Sequence, residues 1–285
     1  MSPPPSPFSL FGPHNLHRPP PNLSLSLLSL PNNALPLSDL YDLSDGTGDR
    51  TGHKVWRGAE VIGELLGSPE GAPLLEEFRG AKVVELGCGG GAGGLAVLRL
   101  LEGEGGTVES VAFTDGDGTA VALAEVNYGR NFARPAEEGG DGAGSAAGGT
   151  TSASSSSSPS PPPPASFFPL AWSTAPSPSS SSCSLVLACD VIYDLSILPP
   201  LLSTASSLLP PTSGTLVLSH VCRSSLPTKP VGTERELEER IDGEAERWGL
   251  RREREATLRQ RDGEEREGQR GSVLVYRKYS ETPSV

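Results

Sequence analysis

The sequence predicts an α/β fold: a doubly wound, mostly parallel sheet of seven strands, with a C-terminal antiparallel hairpin and helices on both faces. Three observations predict it. Residues 81–86 form a short apolar, β-branched run that leads straight into Gly87-Cys88-Gly89-Gly90-Gly91. A helix-spaced segment follows, then a second strand-like run at 108–114 that closes on an acid, Asp115. Residues 184–190 repeat the device, a continuous apolar run ending in Asp190. Strand, glycine turn, helix, strand, acid is how a parallel sheet with crossover helices begins.

The elements follow in order. Residues 1–38 are rich in Pro, Ser and Leu and lack a helical period, which predicts a disordered low-complexity tail before a domain at 39–285. An N-terminus without acid before Asp39 has some likeness to an organelle transit peptide, but Arg18 is its only arginine. Val55, Ala59, Ile62, Leu65 and Leu66 recur at helical spacing and stop at Gly67-Ser68-Pro69. After the glycines, Leu95, Ala96, Leu98 and Leu101 mark a helix, and 119–128 a second one. Residues 135–165 are dominated by Gly, Ala, Ser, Thr and Pro and predict a disordered surface insertion. A short strand at 167–172 and a Ser/Pro loop at 173–182 come next. Beyond the run at 184–190 lie a helix at 197–209 stopped by Pro210-Pro211, a strand at 214–221 and a charged helix at 233–248. Strands at 250–258 and 272–276 finish the chain as a hairpin around a polar loop.

Composition narrows the function. The chain of 285 residues carries a formal net charge of −12, which disfavours nucleic acid as a partner because phosphates are repelled. No apolar run is long enough for a membrane span. The four cysteines, Cys88, Cys183, Cys189 and Cys222, form no CxxC pair, so no metal site is expected. Small buried thiols fit a reducing compartment, and a cytoplasmic monomer is the expectation. No Gly-x-Ser-x-Gly elbow is present, which argues against Ser-His-Asp hydrolysis, and His53 has no triad partner pattern.

The glycine turn carries the chemistry. Glycines after a buried strand let the backbone approach a ligand, and the helix that follows offers free N–H groups. Asp115 ends the next strand, where a carboxylate can accept hydrogen bonds from both ribose hydroxyls of an adenosine cofactor. Asp117 competes for that role from the adjoining turn. Gly87, Gly89 and Ala92 also satisfy a loose dinucleotide spacing, so these pieces alone fit a nicotinamide enzyme too. Glu85, opening the turn, leans toward the pattern Glu-x-Gly-x-Gly-x-Gly, filled here by Glu85, Gly87, Gly89 and Gly91.

Five motifs in order extend this pattern: Val55-Trp56 before the first strand, Glu85 to Gly91, the pair Asn127 and Asn131, Leu170-Ala171-Trp172, and Asp190-Val191-Ile192-Tyr193. Together they resemble methyltransferase family 16, the seven-β-strand protein lysine methyltransferases, over about residues 50–280. The resemblance implies a Rossmann-like methyltransferase fold, S-adenosylmethionine as cofactor, and a lysine side chain of a non-histone protein as substrate. It implies that Trp56, Glu85, Gly87, Cys88, Gly89, Asp115, Trp172 and Cys189 bind the cofactor, with Trp172 beside the adenine. Asp190 and Tyr193 would border the lysine channel as the catalytic pair. A core-anchor role suits Trp56 equally well. Asp190 could instead cap a helix, although Asp194 is the better N-cap for the one that follows. The chain departs from the family pattern at Cys183-Ser184, where Phe-Asp is usual, in the extra glycines of the turn, and in the long Ser/Pro tracts. A small-molecule or RNA methyltransferase of the same fold stays open, as does a catalytically silent binding module. An Asn-Pro-Pro-Tyr motif, which would favour base or amide methylation, does not stand at 190–193.

Overall fold

The computed structural model describes residues 11–18, 23–29, 51–132, 161–173, 183–221, 233–258 and 271–279. Residues 135–160 of the expected insertion at 135–165, and 174–182 of the expected loop at 173–182, lie outside the described residues.

Among the described residues a seven-stranded sheet forms the centre of the fold. Its strands are β3 (Lys82–Leu86), β4 (Ser110–Asp115), β5 (Ala165–Pro169), β6 (Leu185–Cys189), β7 (Thr215–Val221), β8 (Leu250–Leu258) and β9 (Gly271–Lys278). They lie in the order β5-β4-β3-β6-β7-β9-β8. The first five pair in parallel, while β9 runs antiparallel to both β7 and β8. Strand order reverses between β3 and β6, so the crevice beyond their carboxyl ends is the place where such a sheet binds ligands. Every residue of β7 is buried, as expected of a parallel strand covered on both faces.

Helices cover both faces. On one side lie α1 (Arg57–Leu66), α2 (Ala72–Phe78), α3 (Ala92–Gly103) and α4 (Gly118–Phe132), burying Ile62, Phe78, Leu95 and Ala124. On the other lie α5 (Leu198–Leu208) and α6 (Glu234–Arg247), burying Leu201, Leu202 and Ile241 against Leu216, Leu218 and Tyr276. A capping box starts α6, with the Thr233 hydroxyl accepting from the Glu236 amide and the Glu236 carboxylate accepting from the Thr233 amide.

The structure corrects three expectations. Within the supposed tail, Gly12–Arg18 (β1) and Leu23–Ser29 (β2) pair as an antiparallel hairpin. The Leu-Ser alternation of β2 has a period of two, which gives it one apolar face. Leu23, Leu25 and Leu27 of that face are buried in the core shared with α3 and α4. The expected strand at 167–172 begins earlier, at Ala165, inside the supposed insertion, and Trp172 lies beyond its end. The short helix α2 was not foreseen because its seven residues hold too few turns to show a period.

Candidate functional site

The strand ends converge on a cavity of about 540 Å³. All ten residues singled out by sequence line it: Trp56, Glu85, Gly87, Cys88, Gly89, Asp115, Trp172, Cys189, Asp190 and Tyr193. The cavity spans the β3/β6 reversal, with Asp115 on one flank and Asp190 on the other.

The turn after β3 is built for close approach. Gly87, Gly89 and Gly91 have φ of 64°, 52° and 81°, a region that side chains rarely adopt. A Cβ on Gly87 would stand 2.7 Å from Val191 and 2.9 Å from Trp172. One on Gly89 would stand 2.6 Å from the Gly52 carbonyl oxygen. The turn is fixed from below by β4. The Cys88 amide donates to the Thr114 carbonyl at 2.9 Å, and the Gly89 amide to Asp115 Oδ2 at 2.9 Å. The Asp117 amide donates to the other oxygen of Asp115 at 3.0 Å. Asp115 thus braces the turn from its strand end while lining the cavity.

Glu85 is a buried acid behind the turn, 1% exposed. It accepts from the Gly94 amide at 3.1 Å, and a Cβ on Gly93 or Gly94 would press on its carboxyl oxygens at 2.7 and 2.6 Å. Burial pushes its carboxyl up to about 8, with the Asp115 charge adding to the rise against the opposing Gly94 bond. Glu85 is therefore mostly protonated at neutral pH. Burial also holds the Cys88 and Cys189 thiols well above the ordinary thiol range, so both are neutral wall groups rather than nucleophiles.

Asp190 sits differently. Among the described residues it is the single non-glycine with positive φ, at 56°, a strained conformation of the kind that gathers at functional sites. Its Oδ2 accepts from the Gly58 amide at 2.9 Å, capping the start of α1 directly after Trp56. Ser219 of β7 completes the clamp: its hydroxyl donates to the Gly58 carbonyl, and its carbonyl accepts from the Asp190 amide, both at 2.8 Å. A Cβ on Gly58 would lie 2.4 Å from the Asp190 Cβ. Asp194 caps the turn after β6 by accepting from the Ser196 amide at 2.7 Å.

Several residues escaped the sequence reading. Gly58 and Ser219 carry no signal in a single sequence. His53 has a partner after all, with Nε2 2.9 Å from Asp117 Oδ2. Burial alone would raise the Asp117 carboxyl, but the bonds from His53 and Thr119 hold it below its usual value. This pair ties the 51–53 turn to the start of α4, beside Asp115. Lys54 also lines the cavity, as does Asp117, the competitor of Asp115 in the sequence.

Comparison with known proteins gives one family match and several distant structural ones. The model of a family described as lysine methyltransferase matches residues 38–134, a span that holds Trp56, the glycine turn and Asp115. The resemblance read from the motifs is thus shown over that span. Solved structures with partial likeness match at low identity and with TM-scores below 0.5. One is the 16S rRNA N2 G1207 methyltransferase of T. thermophilus with AdoMet and guanosine, at 16% identity and TM-score 0.47, covering 96% of this chain and 52% of that one. Another is a SAM-dependent methyltransferase of Methanosarcina mazei, at 16% identity and TM-score 0.45, covering 73% and 98%. A third is a ribosomal protein L11 methylase of Lactobacillus delbrueckii subsp. bulgaricus, at 14% identity and TM-score 0.42, covering 78% and 80%. No protein of curated function matches the sequence. The family match and the sheet together support an S-adenosylmethionine-dependent methyltransferase. Among the described residues no helix is long and apolar enough to cross a membrane.

The cavity fits this cofactor. Glycines leave a cradle that a Cβ would fill, an acid faces it from β4, and the Trp172 indole N–H is buried with no hydrogen-bond partner among the described residues.

Proposed function

We propose that the protein is a protein lysine methyltransferase using S-adenosylmethionine. The observation that carries this reading is that one cavity at the β3/β6 reversal gathers the glycine turn, Asp115, Trp56, Trp172 and the Asp190–Tyr193 segment. When bound, the cofactor supplies a methyl group on a positively charged sulfur, ready for in-line displacement. The chain has to bind, orient and exclude water.

Asp115 holds the ribose hydroxyls. Gly87, Cys88 and Gly89 bring backbone close to the cofactor, and protonated Glu85 supports the turn without adding charge. Trp56 and Trp172 supply apolar walls, with Cys189 behind them. Asp190 and Tyr193 border the route by which the lysine enters. A lysine amine is protonated in water, with a free pKa of about 10.4, and must lose that proton before it attacks. The carboxylates of Asp115, Asp117 and Asp190 along the cavity favour arrival of a cation, and desolvation between the aromatic walls favours its loss of the proton. The family description and the net charge of −12 support protein over nucleic acid as substrate. The buried free thiols Cys88 and Cys183 suit a reducing compartment such as the cytoplasm.

The test is transfer of a labelled methyl group to proteins of a cell lysate, followed by hydrolysis. The reading expects label in methylated lysine. Label confined to RNA or to small molecules would overturn the substrate assignment.

A further inference from the structure

Asn127 and Asn131 lie one turn apart on α4, a spacing that sets both side chains on one helix face. Both meet β2. The Asn131 carboxamide accepts from the Ser26 amide and donates to the Ser26 carbonyl, each at 3.0 Å. The Asn127 carboxamide accepts from the Leu28 amide at 2.6 Å and donates to the Leu28 carbonyl at 3.1 Å. The two amides thus copy the hydrogen bonds of a neighbouring strand along β2.

One bond distinguishes them. Asn127 Nδ2 also donates to the Gly90 carbonyl, in the glycine turn, at 2.9 Å. Asn131 donates instead to the Asn127 carbonyl within its own helix, at 2.8 Å. The Asn127 side chain has two donor hydrogens, and Leu28 and Gly90 take one each. It is fully buried, so losing either partner would leave a polar group without water. The Asn127 amide therefore links the hairpin to the glycine turn that lines the cavity, although the hairpin strands, 12–18 and 23–29, precede the span of the family match.

We infer that Asn127 is a positioning residue: it sets the glycine turn of the cofactor cavity by tying Gly90 to the N-terminal hairpin. The cofactor half of this statement rests on the function proposed above, while the mechanical half does not.

The experiment uses the full chain with Asn127→Asp and Asn131→Ala. The first variant keeps the acceptor for Leu28 and removes both donors. The second loosens the hairpin without touching the turn. Amide hydrogen exchange of the ligand-free proteins should rise across residues 87–94 in Asn127→Asp, and only across 23–29 in Asn131→Ala. Affinity for S-adenosylhomocysteine should fall about tenfold in Asn127→Asp, the size of one lost hydrogen bond, and less than about threefold in Asn131→Ala. Should Asn127→Asp fail to fold, Asn127→Ser, which buries no charge, carries the same expectation. Unchanged exchange at 87–94 in the Asn127 variants, or an equal rise in Asn131→Ala, would overturn the inference. Altered exchange as expected in a wild-type protein that binds no S-adenosylhomocysteine would uphold the tie and remove the cofactor reading alone.

Discussion

Asp115 and Asp190 invite comparison, because each ends a parallel strand, lines the same cavity and accepts a backbone N–H at 2.9 Å. Their settings differ. Asp115 is half-buried on an ordinary strand end and braces a turn made of glycine. Asp190 is 6% exposed, has a left-handed backbone and pins a helix start between β6 and β7. One flank of the cavity is shaped by missing side chains, the other by a strained residue held through both its side chain and its amide. The first arrangement suits a ligand that lies against backbone. The second suits a wall whose position must not drift. Binding should therefore depend on Asp115 and stability on Asp190.

The sharpest way to break the comparison is Asp115→Ala. It removes the acceptor for the ribose and the brace on Gly89, so affinity for S-adenosylhomocysteine should fall about 100-fold, close to 2.7 kcal/mol. The melting temperature should move little. Asp190→Ala should do the reverse. Loss of a buried cap, with an alanine forced into the left-handed region, should cost about 2–3 kcal/mol of stability in a denaturant titration. Asparagine tolerates that backbone and keeps an acceptor for Gly58, so Asp190→Asn should recover most of the lost stability. Equal losses for Ala and Asn would show that charge, rather than the cap, is what the fold requires.

A smaller effect sharpens the picture behind the turn. The Glu85 carboxyl is raised from 4.5 to about 8 in the folded protein. Its contribution to stability is therefore complete below the unfolded value and fades as pH rises through the folded one. Wild type should lose on the order of 1 kcal/mol between pH 7 and 9 from this group, and Glu85→Gln should lose none of that share. Parallel pH profiles for the two proteins would contradict a buried, protonated Glu85.

The same contrast marks what sequence can disclose. The Asp115 flank was legible because its signals are local: an apolar run, glycines where side chains cannot fit, an acid at the next strand end. Asp190 was legible as a strand-end acid, but its bond to Gly58 joins residues 132 positions apart, and nothing in one chain marks such a pair. Ser219 stayed hidden for the same reason. The hairpin was hidden differently. Its Leu-Ser alternation was present, yet it sat within a Pro- and Ser-rich stretch whose composition outweighed the period. Trp172 lines the cavity but lies outside the strand expected to hold it, because that strand ends at Pro169.

The most direct test of the account is calorimetric titration of the purified protein with S-adenosylhomocysteine, beside Asp115→Ala. Saturable one-to-one binding by wild type that the variant loses is the predicted result. A well-folded wild-type protein that takes up no heat of binding would contradict the cofactor assignment, and with it the methyltransferase reading of the cavity.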